Sequence, residues 1–410
     1  MKIAFFLNEF PSLSQTFVLN QIIWMVDRGH EVDIYATHPL QSEKCHPQIK
    51  RYDLLNKTRY FSDVPASYLE RVTKTIGLIL GSGLWRRPWL VIRSTVTLKD
   101  GRITTHLRLL YRVFALAGRH RYDIIHCQFG PLGLLALELK KLGAIDGALV
   151  TSFRGYDITR VLANSPAYYD ELFAYGDLFL PVSKSLADNL LEAGCPSGRI
   201  KILYSGIDCS KFRFTERYKL HEEPMKLLGI GRFVKKKGWG YAIEAIANAR
   251  KAGCNIQFTL VGDGHLRQQI EGKIADCRIQ DAVTLYGWCD HDEILRLLDE
   301  SHILIAPSIT ADDGDQEGIP NVLKEAMATG LPVLSTWHSG IPELVEDGVS
   351  GYLVPERDVG ALSDRLTSLY DHPERWAEMG RHGRKKVEDA FDMTKINTRL
   401  EALYGVANED

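Results

Sequence analysis

Lys2-Ile3-Ala4-Phe5-Phe6-Leu7 opens the chain as an apolar run closed off by polar Asn8-Glu9. A short run without alternation reads as a strand buried on both faces, as in a parallel sheet. From Gln15 to Arg28, Val18, Ile22, Met25 and Val26 recur at helical spacing, and residues 31–36 alternate as a second strand. Ser12-Leu13-Ser14-Gln15 has capping-box spacing and Gly29 supplies a stop, so both helix ends have a physical cause. Strand, helix and strand make one βαβ unit.

The same alternation continues outward. Strand-like runs occur at 123–127, 148–153, 177–182 and 200–204, then at 226–230, 256–261, 282–286, 302–306, 332–335 and 351–354. Two parallel, doubly wound sheets of an α/β protein fit this order. The length of 410 residues agrees, since it suggests two domains of about 200 residues each. Residues 209–224 are polar and aperiodic, which is linker composition. The expected organisation is a first domain over 1–208, a linker over 209–224, a second domain over 225–392, and a last helix within 393–410 that crosses back to the first. A ligand then belongs in the cleft, outside the carboxyl ends of the strands.

A formal charge of −2 gives no general signature of nucleic-acid binding. Seven scattered cysteines without C-x-x-C argue against a disulfide framework or a structural zinc, and a reducing cytosol is the simplest compartment. The apolar opening is too short for a signal segment, and no stretch reaches the ~20 apolar residues of a membrane span.

Leu84 to Tyr122 breaks the pattern. It carries Arg86, Arg87, Arg93, Lys99, Arg102, Arg108, Arg112, Arg119 and Arg121 against Asp100 alone, interleaved with Trp85, Trp89, Leu107, Leu109, Leu110, Val113, Phe114 and Leu116. Such a partly helical segment suits the headgroup region of an anionic membrane, each basic residue contributing about 1 kcal/mol near the surface. A helix with solvated charges and its apolar side in the core has the same composition, so both readings stand.

The chemistry concentrates in Glu317-Gly318-Ile319-Pro320-Asn321-Val322-Leu323-Lys324-Glu325, where two carboxylates flank a helix start. Pro320 fixes φ for the start and Gly330 marks the stop. Glu325 falls beside Val322 and Ala326, where a carboxylate needs cations or hydroxyl donors, and vicinal sugar hydroxyls provide the latter. A lysine-paired structural glutamate would look the same. Upstream, Gly229-Ile230-Gly231-Arg232-Phe233 follows a strand and leads to Lys235, Lys236 and Lys237. Arg232 and a lysine can stabilise the charge that develops on a diphosphate leaving group, and the free N–H groups beginning at Asn321 add donors.

Gly262-Asp263-Gly264 lacks the third glycine of a dinucleotide fingerprint, since Arg267 stands there, and reads as a tight strand-to-helix turn. P-loop, serine-hydrolase and zincin motifs are absent. Asp312, Asp313 and Asp315 read as a solvated acidic loop rather than a metal ligand set.

With these residues, and with Gly330-Leu331-Pro332-Val333, Ser339-Gly340-Ile341-Pro342-Glu343 and Asp347-Gly348-Val349-Ser350-Gly351, the chain resembles a family 4 glycosyltransferase. The resemblance runs over nearly the whole chain. Tyr204-Ser205-Gly206-Ile207-Asp208 matches the family's Asn-Gly-Ile-Asp element except at Ser205, and Phe10-Pro11-Ser12-Leu13-Ser14-Gln15-Thr16-Phe17 is similar to bacterial exopolysaccharide enzymes of the colanic-acid type. It implies the GT-B fold, two Rossmann-like domains facing a cleft. It also implies retaining, metal-independent transfer from a nucleotide diphosphate sugar, with no further cofactor.

By that resemblance Arg232 and Lys237 hold the diphosphate, Glu325 the ribose and Glu317 the donor sugar. Gly318, Ile319, Asn321 and Val322 complete the donor side, and Trp288 could lie near the base. Many relatives carry a histidine where this chain has Arg154, in Thr151-Ser152-Phe153-Arg154-Gly155-Tyr156-Asp157. Arginine cannot act as a base at neutral pH but can neutralise phosphate or orient the acceptor. His126 is then the substitute at the cleft edge, or else a satisfied structural histidine. The family's Gly-Gly loop after the first strand is missing, leaving Ser14, Gln15 and Thr16, with Asp157, to face the diphosphate or acceptor. The expected activity is hexose transfer to a glycan or lipid-linked acceptor; a GT-B phosphorylase or epimerase, or a silent nucleotide-sugar-binding protein, are the alternatives.

Overall fold

The computed structural model describes residues 1–12, 16–39, 46–61, 65, 67–82, 84–99, 102–105, 107–116, 120–219 and 223–409. In chain order the strands are β1 (Lys2–Glu9), β2 (Glu31–His38), β3 (Thr58–Tyr60), β4 (Val96–Lys99), β5 (Arg102–Thr105), β6 (Arg121–Cys127), β7 (Asp146–Phe153) and β8 (Leu178–Pro181). In the second half they are β9 (Met225–Ile230), β10 (Ile256–Val261), β11 (Val283–Gly287), β12 (Ile303–Ala306), β13 (Val333–Thr336) and β14 (Gly351–Val354). β3-β2-β1-β6-β7-β8 form one sheet and β11-β10-β9-β12-β13-β14 another, with every neighbour parallel. Strand order therefore reverses between β1 and β6, and again between β9 and β12. At such a switch point the loops leave in opposite directions and open a crevice.

The opening run explains the first core. Ala4 and Phe6 face one layer of helices while Ile3, Phe5 and Leu7 face the other, all with no exposed surface. Burial on both faces is what a parallel sheet demands, and each such side chain contributes about 1.5–3 kcal/mol. The helix begins at Thr16, and of the capping box only Ser12 lies within the described residues.

One expectation changes, and the reading of the basic segment is sharpened. Residues 200–204 form no regular strand: Lys201 and Leu203 donate to Phe179 O and Pro181 O, both at 2.9 Å, and a single bridge joins Ile200 to Phe179. The basic segment is partly helical, as its composition suggested, and it also contains an antiparallel strand pair, β4 with β5, that charge counting obscured. Leu110, Val113, Phe114 and Leu116 are core residues, and buried Arg112 lies over the Phe61 ring at 5.0 Å.

The junction crosses twice. Ile207 N donates to Phe391 O at 3.0 Å, and Met393 N to Ile207 O at 2.9 Å, so outgoing and returning chains lie side by side. Beyond this point the helix Met393–Glu409 buries Ile396, Leu400, Tyr404 and Ala407 against the first sheet. The polar stretch after Asp208 is strapped to the second domain: buried Arg217 donates to Asp299 O (2.7 Å), Leu298 O (3.2 Å) and Thr329 O (3.1 Å). Among the described residues no helix is long and apolar enough to cross a membrane.

Candidate active site

The loops at the second switch point carry most of the residues singled out above. After β9 the chain turns through Gly231–Val234 into one 3₁₀ turn of lysines, Lys235–Lys237. Close backbone approach fixes this loop: a Cβ on Gly262 would lie 2.1 Å from Gly231 O, and one on Gly238, whose φ is +67°, 2.0 Å from Pro307 O. The Gly262-Asp263-Gly264 element is thus the tight turn its spacing predicts. Only glycine fits there.

The three lysines diverge. Lys235 is exposed and pairs with Asp312, while Lys236 is buried and reaches Asp315 Oδ1 at 3.0 Å and Gln316 O at 3.4 Å. Lys237 Nζ lies 3.2 Å from Glu317 Oε1, with Lys236 Nζ at 3.5 Å from the same oxygen. Asp313 pairs with Arg160 at 3.2 Å, so the acidic loop stays largely solvated, as expected, while each of its aspartates has a cationic neighbour. Arg232 is exposed, and its guanidinium has no side-chain partner among the described residues. Among those residues no group of three His, Cys, Asp or Glu could hold a metal ion.

Glu317 is gripped from three sides. Burial alone would raise its pKa, but Lys237 and Lys236 outweigh it and hold the carboxyl down to about 2. A permanently ionised carboxylate accepts hydroxyl hydrogen bonds but cannot serve as a general acid near neutrality. Behind it, Glu317 N donates to His338 Nε2 at 3.1 Å and His338 Nδ1 meets Glu356 Oε1 at 2.6 Å. Accepting at Nε2 requires the proton on Nδ1, so Glu356 fixes the tautomer. Glu356 also accepts from Thr310 N at 2.8 Å. Sequence reading missed His338 and Glu356. Both follow directly on β13 and β14, and position at a strand's carboxyl end was the signal.

The helix Asn321–Thr329 begins just after Pro320 and ends at Gly330, whose φ of +90° closes it. Gly318, Ile319 and Val322 are buried at its start, and Asn321 Oδ1 accepts from Lys324 Nζ at 3.0 Å. Lys324 is wholly buried and also donates to Ser205 O at 2.8 Å, tying this helix to the domain junction. Glu325 is half-buried, with no hydrogen-bond donor among the described residues. Burial pushes its carboxyl up to about 7 despite the neighbouring Lys324. Its acceptor oxygens are thus left without a protein donor among the described residues. Trp288, after β11, is 72% exposed and so is not a core residue.

The facing wall comes from the first domain. A Cβ on Gly318 would lie 3.0 Å from Arg154 O and 2.8 Å from Val182 Cγ2, so the Arg154 and Glu317 loops touch. Glu343 accepts from Lys184 N at 2.8 Å and Tyr204 Oη at 3.0 Å, capping a first-domain helix from the second domain. The Arg154 guanidinium lies 4.1 Å from the Phe17 ring centre and bonds Gln128, through Nε to its carbonyl at 3.3 Å and through Nη2 to Oε1. Burial lowers its pKa to about 10, which leaves it charged at neutral pH. Thr16 is exposed at the start of its helix; Ser14 and Gln15 lie outside the described residues.

Two expectations on this wall are corrected. His126 is fully buried rather than at the cleft edge, with Nδ1 2.6 Å from Tyr404 Oη and Nε2 2.8 Å from Ser152 Oγ. Burial lowers its pKa to about 3, so it stays neutral and structural. Asp157 is likewise buried, and its carboxylate accepts from Arg154 N and Gly155 N at 2.9 Å and from Gly130 N at 3.1 Å. Fully buried and held by three backbone N–H groups, the carboxylate is turned away from a substrate; Asp157 shapes the loop that carries Arg154.

Known proteins agree with this architecture. Residues 14–211 match the family described as Glycosyltransferase Family 4, and residues 210–386 match Glycosyl transferases group 1. The chain is 37% identical to a putative colanic acid biosynthesis glycosyltransferase of Salmonella typhimurium, covering 98% of this chain and 99% of the relative. It is 38% identical to the amylovoran biosynthesis glycosyltransferase of Erwinia amylovora, covering 96% of each. The Anabaena protein HepE, crystallised with UDP and glucose, superposes with a TM-score of 0.71 at 16% identity, covering 99% of this chain and all of that one. That likeness shows the fold, GT-B. Two contiguous family matches and identity sustained along the whole chain lead to one conclusion: the protein belongs to the family 4 glycosyltransferases, in the company of exopolysaccharide biosynthesis enzymes.

Proposed function

We propose that the chain moves a hexose, with retention and without a metal, from a nucleoside diphosphate sugar to a glycan or lipid-linked acceptor at the inner face of a membrane. The observation that carries this reading is the convergence of Lys237, Glu317, Arg232 and the Asn321 helix start on one switch point. In the reaction the acceptor oxygen bonds C1 of the sugar as the C1–O bond to the diphosphate breaks. The acceptor proton passes to the leaving phosphate oxygen.

Lys237, Arg232 and the helix N–H groups stabilise the charge that grows on the diphosphate, a cationic set that can take the part a metal plays elsewhere. Glu317 accepts sugar hydroxyls while remaining ionised, and Glu325 accepts the ribose hydroxyls. Arg154, facing them, orients the acceptor. The relatives named for colanic acid and amylovoran support a polysaccharide acceptor, and the UDP and glucose of HepE make UDP-hexoses the first donors to test.

The test is incubation with a panel of nucleotide sugars, following nucleoside diphosphate release with and without acceptors and with a chelator. Acceptor-dependent release, unaffected by chelation, with NMR showing the donor's anomeric configuration in the product supports the proposal. An inverted product or strict metal dependence contradicts it. Phosphate-dependent release of sugar 1-phosphate would point to a phosphorylase instead.

A further inference from the structure

Upstream of β4 the chain forms a helix over Tyr68–Ser82, a 3₁₀ turn over Leu84–Arg86 and a second helix over Pro88–Thr95. The inner side of this unit is well seated. Thr75 Oγ1 lies 3.1 Å from Tyr111 Oη, Tyr111 Oη donates to Arg71 O at 3.3 Å, and Leu84, Leu90 and Ser94 are buried. With the orientation fixed from within, the outer side is fixed too. Along it run Leu69 (75% exposed), Ile76 (55%), Leu80 (64%), Trp85 (56%), Trp89 (45%) and Ile92 (62%).

Residues 69, 76 and 80 lie on one side of the first helix, Trp89 and Ile92 lie one turn apart on the second, and Trp85 stands on the 3₁₀ turn between them. The charge of the stretch is one-sided: residues 68–95 contain Arg71, Lys74, Arg86, Arg87 and Arg93 against Glu70 alone, with Arg71 bonded to Pro65 O and Arg87 to His120. Lys74 and Arg93 are exposed beside the apolar stripe. Isolated surface leucines need no explanation, but six large apolar side chains exposed between residues 69 and 92 do.

We propose that this face docks on an anionic bilayer surface, with the apolar side chains at the acyl boundary and the basic residues among the headgroups. Charge complementarity selects the occupant. Tryptophan pairs an apolar body with a polar N–H suited to the interface, and basic residues beside a helical apolar face match anionic lipid. The face is not the 84–122 segment as composition outlined it: Leu110, Val113, Phe114 and Leu116 belong to the core, while Leu69, Ile76 and Leu80 lie before it. The docking goes beyond sugar transfer and does not rest on it.

The experiment floats the full chain with vesicles of phosphatidylglycerol and phosphatidylethanolamine, or of phosphatidylcholine, in the absence of any sugar. Binding to the anionic vesicles, weakened by high salt, and quenching of tryptophan emission by brominated acyl chains are expected. Trp85→Ser with Trp89→Ser should lower partitioning by about tenfold and remove the quenching. Leu69→Asp with Leu80→Asp, at well-exposed positions, should lower it similarly, whereas Tyr175→Ser, an exposed aromatic elsewhere, should change nothing. Circular dichroism and nucleoside diphosphate release with a water-soluble acceptor check that the variants fold and turn over. No binding to anionic vesicles, or binding indifferent to both double variants, overturns the proposal. So does self-association on size exclusion that these variants abolish, since the face would then belong to a second copy of the chain.

Discussion

Lys237 Nζ stands 3.2 Å from Glu317 Oε1, joining the loop after β9 to the loop after β12 across the point where strand order reverses. The pair makes opposite demands on a donor. Lys237 favours the negative diphosphate and Glu317 favours hydroxyl hydrogens, so a sugar diphosphate can satisfy both while replacing part of their mutual attraction.

The neighbouring lysines should therefore separate. Lys237→Ala is expected to lower kcat by about 10²–10³ with an unchanged circular dichroism spectrum, as when one transition-state donor is removed. Lys236→Ala should instead cost stability, about 1–3 kcal/mol in urea unfolding, because buried Lys236 balances Asp315 and Glu317. Equal effects of both changes on kcat would show that the division of labour is wrong.

His338 and Glu356 act through Glu317 rather than on the sugar. Glu356→Gln can donate where the carboxylate accepted, releasing the imidazole from its fixed tautomer, so kcat/KM should fall roughly 10- to 100-fold. His338→Gln keeps an acceptor for the Glu317 N–H and should retain more activity than His338→Ala. If both histidine variants behave alike, the hydrogen bond is not what positions the loop.

Loss of solvent around the half-buried Glu325 raises its carboxyl from the ordinary 4.5 up to about 7. Accepting ribose hydroxyls on both oxygens requires the anion, so donor affinity should rise with pH through neutrality and then level off. Glu325→Gln should flatten this profile and weaken binding, by titration calorimetry with a nucleoside diphosphate. The sign for stability is opposite. The folded state holds this proton more tightly than the unfolded one, so wild type should lose stability relative to Glu325→Gln as pH rises from 4.5 to 7. Lys324, buried beside it and pushed down by burial, titrates against it and is the reason to compare with Gln rather than Ala.

Tyr404→Phe tests the structural assignment of His126. Removing Oη leaves the buried Nδ1 with Gln128 Nε2 at 3.4 Å as its remaining neighbour, and a loss of about 1–3 kcal/mol is expected. The shape of the pH–rate profile should not change. A lost ionisation in that profile would return His126 to the reaction.

The fold was legible wherever burial left a periodic trace. β1, β9 and β12 are largely apolar runs because helices cover both faces of each sheet, and their loops were placed with them. The neighbourhood of Glu317 and Lys237 was legible because both stand in loops that Pro320 and Gly238 mark, with Glu325 on the helix that Pro320 and Gly330 bound. Orientation was not legible. His126 lies on β6 beside the cleft, yet its ring turns inward to a helix some 280 residues away in sequence, a contact that no local pattern announces. Asp157 read as a cleft carboxylate because its three N–H partners converge only once the loop has folded. In the basic segment charge masked a hairpin and a core, since Arg112 buries its stem while Trp85 and Trp89 stay outside.

The most direct test of the donor-site assignment is acceptor-dependent nucleoside diphosphate release by wild type and Lys237→Ala, each shown to be folded. The account predicts release by the wild type with its preferred nucleotide sugar and a loss of about 10²–10³ in the variant. Undiminished release by Lys237→Ala would contradict it.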